Sequence, residues 1–437
     1  MNTNSTASLR RAITAPMLML FILGDVLGAG VYALAGTIAG RVGGAIWAPL
    51  LIALCFALLT AASYAELVTK YPRAGGAAMY AEKAFGKPLL SFLVGFSMVA
   101  AGVTSAAGLA VAFAGDYLQA LVAWPAQWVC VGFLVIVGLL NARGIKESLS
   151  ANLLMTTIEL SGLAMVIAAA IWFVSQGQGV PQRVLELDTA SPATAILAAS
   201  LLAFYSFVGF ETSANLAEEI KDVRKVYPRA LFGALLIAGV IYMLVGVGAA
   251  MVLPVEQLKD SEAPLLDVVK ASGLGIPGSW FAVIALIAVA NGALLTMIMA
   301  SRLTFGMARE GLLPAVMGAV LPKRRTPGFA ILATTLVAIA LSFTSTLTTL
   351  AETVVLMLLF VFVSVNVAVL VLKRDKVDID HFQVHWVIPV LGIASCLLLL
   401  TQQGPQTWMR AGIMLVVGAV LYGLTRLGHT ASVSQPR

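Results

Sequence analysis

Charge is what this chain lacks. Only 11% of its 437 residues are Asp, Glu, Lys or Arg, while 60% are apolar. An ordinary soluble domain carries about 25% charged residues. A water-soluble fold of this length could not conceal so much apolar surface, because even large globular proteins leave ample apolar area outside. The composition excludes a cytosolic enzyme, a nucleic-acid binder and a disordered scaffold, and leaves a polytopic helical membrane protein. Cysteine and histidine are scarce too, three of each. Cys55, Cys130 and Cys396 sit inside apolar runs with no paired spacing, as small buried hydrophobes do. His381, His385 and His429 fall near loops or the tail without ligand spacing, so neither a metal nor another cofactor is expected.

What is present is a series of long apolar runs. A hydrocarbon core of ~30 Å needs roughly 20 helical residues. Runs between polar breaks give twelve transmembrane spans, at 14–40, 43–70, 88–118, 124–141, 151–175, 192–216, 228–253, 278–306, 327–346, 348–372, 385–403 and 407–427. With the N-terminus inside, 22 of the 27 lysines and arginines fall on the cytoplasmic side; Arg41, Arg183, Lys259, Lys270 and Arg410 fall on the other. Because cytoplasmic loops concentrate positive residues, both termini are placed in the cytoplasm of a plasma or bacterial inner membrane protein. The formal charge of +6 thus belongs to loops facing an anionic leaflet, not to a nucleic-acid surface. Residues 1–13 and 428–437 are read as cytoplasmic tails around one transmembrane domain, 14–427. Arg10 and Arg11 ahead of an apolar stretch suggest a cleavable leader, but that stretch is too long and holds Asp25.

The informative segment is Gly24-Asp25-Val26-Leu27-Gly28-Ala29-Gly30-Val31-Tyr32, in the middle of the first span. Each glycine costs a helix ~1 kcal/mol relative to alanine. Gly24 and Gly28 alone fit a small-xxx-small helix contact. An interior aspartate and a third glycine favour a break in the helix, tolerated at this depth only where the freed backbone groups face a cavity or ligand. Freed N–H groups of the outer half would suit a carboxylate, and freed C=O groups of the inner half an ammonium; an amino-acid backbone fits both. No Gly-Lys-Ser/Thr follows, so the segment is not a phosphate loop. A second weak spot, Tyr205-Ser206-Phe207-Val208-Gly209-Phe210-Glu211, falls in span six. Interrupted helices at equivalent places in two five-span blocks, 14–175 and 192–372, are the pattern of inverted repeats, with 385–427 adding two C-terminal helices.

Further motifs accompany these breaks: Tyr64-Ala65-Glu66-Leu67, Tyr71-Pro72-Arg73-Ala74-Gly75-Gly76, Glu218-Glu219-Ile220-Lys221, Pro228-Arg229, Ser301-Arg302 and Met307-Ala308-Arg309-Glu310-Gly311-Leu312-Leu313-Pro314. In this order and at these span positions, over about residues 14–330, the sequence resembles the amino acid–polyamine–organocation permeases. The resemblance implies an all-α membrane fold of two inverted five-helix repeats with helices one and six broken, as in the LeuT fold, and alternating access for amino acids or related amines. It implies that the backbone at Gly28, Ala29 and Gly30 holds the substrate carboxylate and that carbonyls near Val26, Leu27, Tyr205 and Val208 face the ammonium. Tyr205 matches an aromatic gate, Thr104 a polar contact in span three, and Thr296 a lining position in span eight; Phe207 joins the expected lining. Ala29 departs from the family's usual hydroxyl, and Tyr32 from its usual phenylalanine.

An ionised carboxylate near a helix centre costs about 2.5–3.5 kcal/mol on insertion scales. Glu159 lies mid-span in Thr156-Thr157-Ile158-Glu159-Leu160-Ser161, where some proton-coupled relatives carry a lysine. It is expected to carry a proton when buried and release it as the cavity opens; the plainer reading is a neutral side chain bonded to a neighbouring hydroxyl. Asp25 is the rival, able to meet the ammonium, to bind a cation with Thr296 and Ser301, or to carry the proton. Glu211, after the second break, is either an inner-pathway acid or a helix-packing hydrogen bond. Glu66, near a cytoplasmic helix end, is expected to form an ion pair, and Glu352 to reach water at the outer face.

Nothing here resembles a nucleotide site, so a transporter would draw on an ion gradient, with a proton favoured over sodium, or on exchange. A channel would want a ring of like charges or a repeated carbonyl filter. An enzyme would want a catalytic constellation that the spans do not carry. The expected function is secondary active transport of a neutral amino acid. Asp25 or Glu159 as a counter-charge keeps open a cationic amino acid or polyamine.

Overall fold

A computed structural model describes residues 13–433 apart from 74, 144, 188–189, 262, 322–323 and 325. Of the expected tails, 1–12 and 434–437 lie outside these residues, as do Arg10, Arg11, Lys323, Arg325 and Arg437, while 428–433 continue the last helix. The regular elements are helical throughout. In chain order they are α1 (Ala15–Val26), α2 (Ala29–Val42), α3 (Trp47–Lys70), α4 (Gly76–Phe85), α5 (Pro88–Phe113), α6 (Asp116–Gln119), α7 (Ala126–Arg143), α8 (Ile145–Ser175), α9 (Pro192–Tyr205), α10 (Val223–Val252), α11 (Val255–Lys259), α12 (Pro264–Ala271), α13 (Gly278–Arg309), α14 (Gly328–Ser342), α15 (Leu347–Leu372), α16 (Val387–Leu400) and α17 (Pro405–Val433). Short 3₁₀ turns cover Pro181–Leu185, Phe210–Glu219 and Ala315–Gly318. Proline opens α5, α9 and α12, where its missing N–H would have had no helical partner anyway.

Among the described residues nine helices are long and apolar enough to cross a membrane; α1 and α2, bent by 44° at their junction, make a tenth if taken as one span. The two runs expected at 327–346 and 385–403 fold as shorter apolar helices, Gly328–Ser342 and Val387–Leu400. Polar residues end both early: Thr344 and Ser345 follow the first, and Gln402 and Gln403 the second. The α4 helix and the α11–α12 pair were not expected, being too short and polar to register as apolar runs.

The centre of the bundle is the packing of α5 against α13 and α15, and of α10 against α1, α3 and α8. Small residues permit close approach: a methyl on Gly102 would lie 3.0 Å from Met299 and 3.2 Å from Ala300 of α13. Aromatic rings fill the remainder, with Phe210 stacked on Phe362 at 5.5 Å and Tyr64 edge-on to both. The chain entering α1 pairs with the chain leaving the span-six 3₁₀ turn: Ile13 N–H donates to Glu219 O (3.0 Å) and Lys221 N–H to Ile13 O (2.9 Å). Both interrupted segments are therefore tied at their base.

Candidate functional site

The first helix stops where the glycines begin. Leu27 caps α1 by donating its N–H to Leu23 O (2.7 Å), and α2 starts afresh after Gly28. The second interruption follows the same logic. α9 ends at Tyr205, a turn runs through Ser206–Gly209, and the chain resumes as a 3₁₀ helix at Phe210. Gly209 has φ +123°, a conformation L side chains rarely adopt, and a methyl there would lie 2.7 Å from Asp25 O. A methyl on Gly30 would lie 2.7 Å from Ser206 Cα. The two breaks thus meet backbone against backbone, which only glycine at these positions allows.

They open onto one narrow cavity of about 40 Å³. Asp25, Val26, Gly28 and Gly30 line it from the first break; Tyr205, Val208, Gly209, Glu211 and Thr212 line it from the second. The rest of the wall is Ala101, Gly102, Ser105 and Leu109 of α5, Gly292, Thr296 and Met299 of α13, and Val354 and Leu358 of α15. No lysine, arginine or histidine is among these lining residues. Asp25 Oδ2 accepts from the Thr212 hydroxyl, which also contacts Gly209 O (2.8 Å), and Gly209 N–H donates to Glu211 Oε2 (2.9 Å). Asp25 Oδ1 is buried with no hydrogen-bond partner.

Of the residues singled out from sequence, Asp25, Val26, Gly28, Gly30, Tyr205, Val208, Glu211 and Thr296 meet at this cavity. Ala29 begins α2, with its side chain outside the described set. Leu27, Thr104 and Phe207 are buried beside the cavity without lining it, Phe207 against Tyr242 at 5.3 Å. Ser105, one residue on from Thr104, faces in and shares a 3.1 Å hydrogen bond with Tyr205. The Thr296 hydroxyl is turned to its own helix, donating to Gly292 O and Ala293 O, and Ser301 accepts from Asn141 (3.0 Å). The Val26 carbonyl receives the Tyr242 hydroxyl at 2.6 Å, and that hydroxyl also reaches Ser206 O at 3.1 Å. Tyr242 and Thr212 therefore bridge the two breaks. Neither had a signal in the sequence, since each becomes special only through contacts across the fold.

Glu159 sits behind α1, fully buried, on a face of α8 that also presents Asn152 and Thr156. Neither carboxyl oxygen reaches hydrogen-bond geometry, and the Asn291 amide is a polar side chain close enough to act on it. Asn291 in turn contacts Thr156 Oγ1 (3.4 Å) and Gly24 O (3.5 Å). A methyl on Gly24 would collide with Thr156 and Asn152, so this glycine makes room for the polar cluster. Buried polar groups are normally paired, which makes Glu159 an unusual side chain for a merely structural position. At the start of α15, Glu352 does not end in water alone: it pairs with Arg41 of α2 at 2.8 Å.

Comparison with known proteins agrees with this architecture. The family model described as "Amino acid permease" matches residues 15–421. The chain is 26% identical over 451 residues to the branched-chain amino acid permease BcaP of Bacillus subtilis, covering 98% of this chain and 96% of that one. It is 29% identical over 351 residues to the low-affinity putrescine importer PlaP of Escherichia coli, covering 78% and 76%. It is 31% identical over 362 residues to the vacuolar cationic amino acid transporter 4 of Arabidopsis thaliana, covering 77% of this chain and 58% of that longer one. With two interrupted helices around one cavity and a family match over nearly its whole length, the chain belongs to the amino acid permease family of membrane transporters.

Proposed function

We propose that this protein is a secondary active transporter that carries a neutral amino acid across a cell membrane by alternating access, coupled to a proton. The observation that carries the reading is the convergence of both interruptions on one cavity lined by Gly28, Gly30, Tyr205 and Val208. The start of α2 offers N–H groups without helical partners to a carboxylate. The carbonyls closing α1 and α9 offer the complementary pole to an ammonium. Apolar Leu109, Met299, Val354 and Leu358, with the Ser105 and Tyr205 hydroxyls, form a wall whose chemistry suits a neutral side chain of modest size. The proposed frame has twelve spans, counting α14, α16 and the bent α1–α2 pair. It comprises inverted repeats at 14–175 and 192–372, two added helices at 385–427, and both termini in the cytoplasm. Glu159, Asp25 and Glu211 are the carboxyls available to the proton, with Glu159 favoured because it is buried without a partner.

A second reading has its own support. Asp25 and Glu211 line the cavity and no basic side chain does, a balance that suits a cationic amino acid or a polyamine; relatives named for cationic amino acids and for putrescine point the same way. Uptake into proteoliposomes separates the two. Labelled neutral and cationic amino acids and diamines are supplied while pH and sodium gradients are imposed one at a time. Accumulation of neutral amino acids driven by an inside-alkaline gradient supports the first reading; diamine uptake with neutral amino acids ignored replaces it with the second. Uptake only into vesicles preloaded with substrate would mean exchange. Glu159→Gln is expected to abolish pH-driven accumulation while leaving substrate binding in place, and unchanged pH dependence of uptake would remove Glu159 from the coupling role.

A further inference from the structure

The Thr212 hydroxyl that joins the two breaks lies between two oxygens, Asp25 Oδ2 and Gly209 O, and has one hydrogen for both. Gly209 O also receives the Thr212 N–H (3.0 Å), so with Asp25 ionised the hydroxyl would turn to the carboxylate and leave Thr212 Oγ1 facing Gly209 O at 2.8 Å with no hydrogen between the two oxygens. The carboxylate would then stand with Oδ1 unpartnered in a cavity that has no basic lining residue. A proton on Asp25 Oδ2 fills the bare contact and removes the buried charge: Asp25 donates to Thr212, Thr212 donates to Gly209 O, and Gly209 N–H donates to Glu211. Each donor then has one acceptor, in a continuous chain from α1 into the span-six turn.

We propose that Asp25 and Thr212 form a proton-dependent latch that holds the two interrupted helices together. With the proton in place the carboxyl bridges the breaks. When the proton leaves, Thr212 must choose between the carboxylate and Gly209 O, and burial of an unneutralised charge favours opening the turn to water. Other ties persist in either state, at Ile13 with the Glu219–Lys221 segment and at Tyr242 with Val26 O and Ser206 O. The latch therefore releases the middle of the turn, Ser206–Thr212, and not its ends. The titratable groups that act on Asp25 are Glu211 from the span-six turn and Glu159 from α8; Tyr242 of α10 bonds the adjoining Val26 O, and α13 presents Asn291, which does not titrate.

This inference rests on reading the cavity as the transport site, but its test reads no transport. Amide hydrogen–deuterium exchange across 205–213 is followed on the full chain in lipid nanodiscs, without substrate, from pH 5 to 8. Rates are corrected for the intrinsic pH dependence of exchange. Wild type is expected to lose up to about tenfold of its protection in this turn as pH rises, the scale of one lost hydrogen bond between neutral groups. Asp25→Asn, which offers a permanent N–H donor, should stay protected at every pH. Thr212→Val should be unprotected at every pH, and Thr212→Ser, which restores the hydroxyl, should regain the wild-type step. Glu159→Gln and Glu211→Gln should each keep the step. Protection independent of pH in wild type, a step that survives Thr212→Val, or one that disappears with Glu211→Gln alone would overturn the latch. Since no uptake enters the measurement, a protein that moves none of the amino acids offered would refute the proposed function and leave this result standing.

Discussion

Gly28 and Gly30 stand two residues apart in the same break and answer substitution differently. A methyl on Gly28 would meet nothing closer than Asp25 O at 3.7 Å, ordinary contact, whereas one on Gly30 would press within 2.7 Å of the Ser206 backbone. Overpacking that displaces backbone costs about 1–3 kcal/mol. Gly30→Ala is therefore expected to lower the melting temperature of the detergent-solubilised protein by several degrees, and Gly28→Ala to leave it nearly unchanged. Equal melting temperatures would show that the breaks do not pack as described. The glycine cluster is legible in sequence because three helix-weakening residues beside an aspartate are poorly accommodated in an unbroken span. The neighbouring choice between Thr104 and Ser105 is not. A step of one residue turns a helix by about 100°, and α5 is apolar on nearly all sides, so no periodicity tells which hydroxyl faces in. The resemblance located the element; only packing located the face.

Between elements, the ends of α3 and α15 are fastened by a polar knot. Lys373 Nζ bonds both oxygens of the buried Glu66 carboxylate (2.9 and 3.0 Å) and Val384 O (2.6 Å), while Val384 N–H returns to Glu66. The Tyr71 hydroxyl donates to Asp375 Oδ2 at 2.6 Å, with Lys83 3.5 Å from the same oxygen. That hydrogen bond, helped by Lys83 and Lys70, holds the Asp375 carboxyl below the usual carboxylate range. Burial, then Asp375 itself, pushes the Tyr71 phenol upward. A carboxyl depressed in the folded state stabilises above its unfolded value of about 4 and loses that contribution as pH falls through the lower folded value; the phenol's contribution is present below about 10 and is lost only on strong alkalinisation. Acidification below about pH 4 is therefore expected to loosen the segment 373–386, read as its susceptibility to proteolysis. Tyr71→Phe should loosen it already at neutral pH and flatten the acid step. An undiminished acid step in Tyr71→Phe would mean that another group governs this contact. Sequence marks Glu66 for an ion pair near a helix end but cannot name Lys373 as its partner, 307 positions away. Long apolar elements are written in the sequence by composition, whereas their fastenings depend on which ends arrive together. The same reason hides α4 and the 3₁₀ course of Phe210–Glu219, where tertiary packing rather than periodicity sets the backbone.

At the scale of the whole molecule, the basic residues sort by end. Arg41 bonds Glu352 at the start of α15 and Ala198 O, a methyl on Gly40 would lie 3.0 Å from Lys259, Gly44 abuts Arg183, and Arg410 bonds Ser345 just before α15. Four of the five cations assigned by sequence to the outer face thus gather at one end. Lys70, Lys83 and Lys373 gather at the other, around the knot of Glu66 and Asp375. A single miscounted span would have mixed the two groups, so their separation supports the alternation without fixing which end faces the cytoplasm. Loop charge fixes that in our reading, because cytoplasmic loops retain lysine and arginine. The test uses single cysteines, at Gln178 in the loop after α8 and at Asp378 in the loop after α15, in chains whose Cys55, Cys130 and Cys396 are replaced by alanine. A membrane-impermeant thiol reagent added to intact cells should label Gln178→Cys and spare Asp378→Cys; on inside-out vesicles the pattern should reverse. Labelling of both from one side would break the span count, and the opposite pattern would place the termini outside. The second result would also invert the direction in which a proton gradient acts on Glu159, so it bears on mechanism as well as on topology.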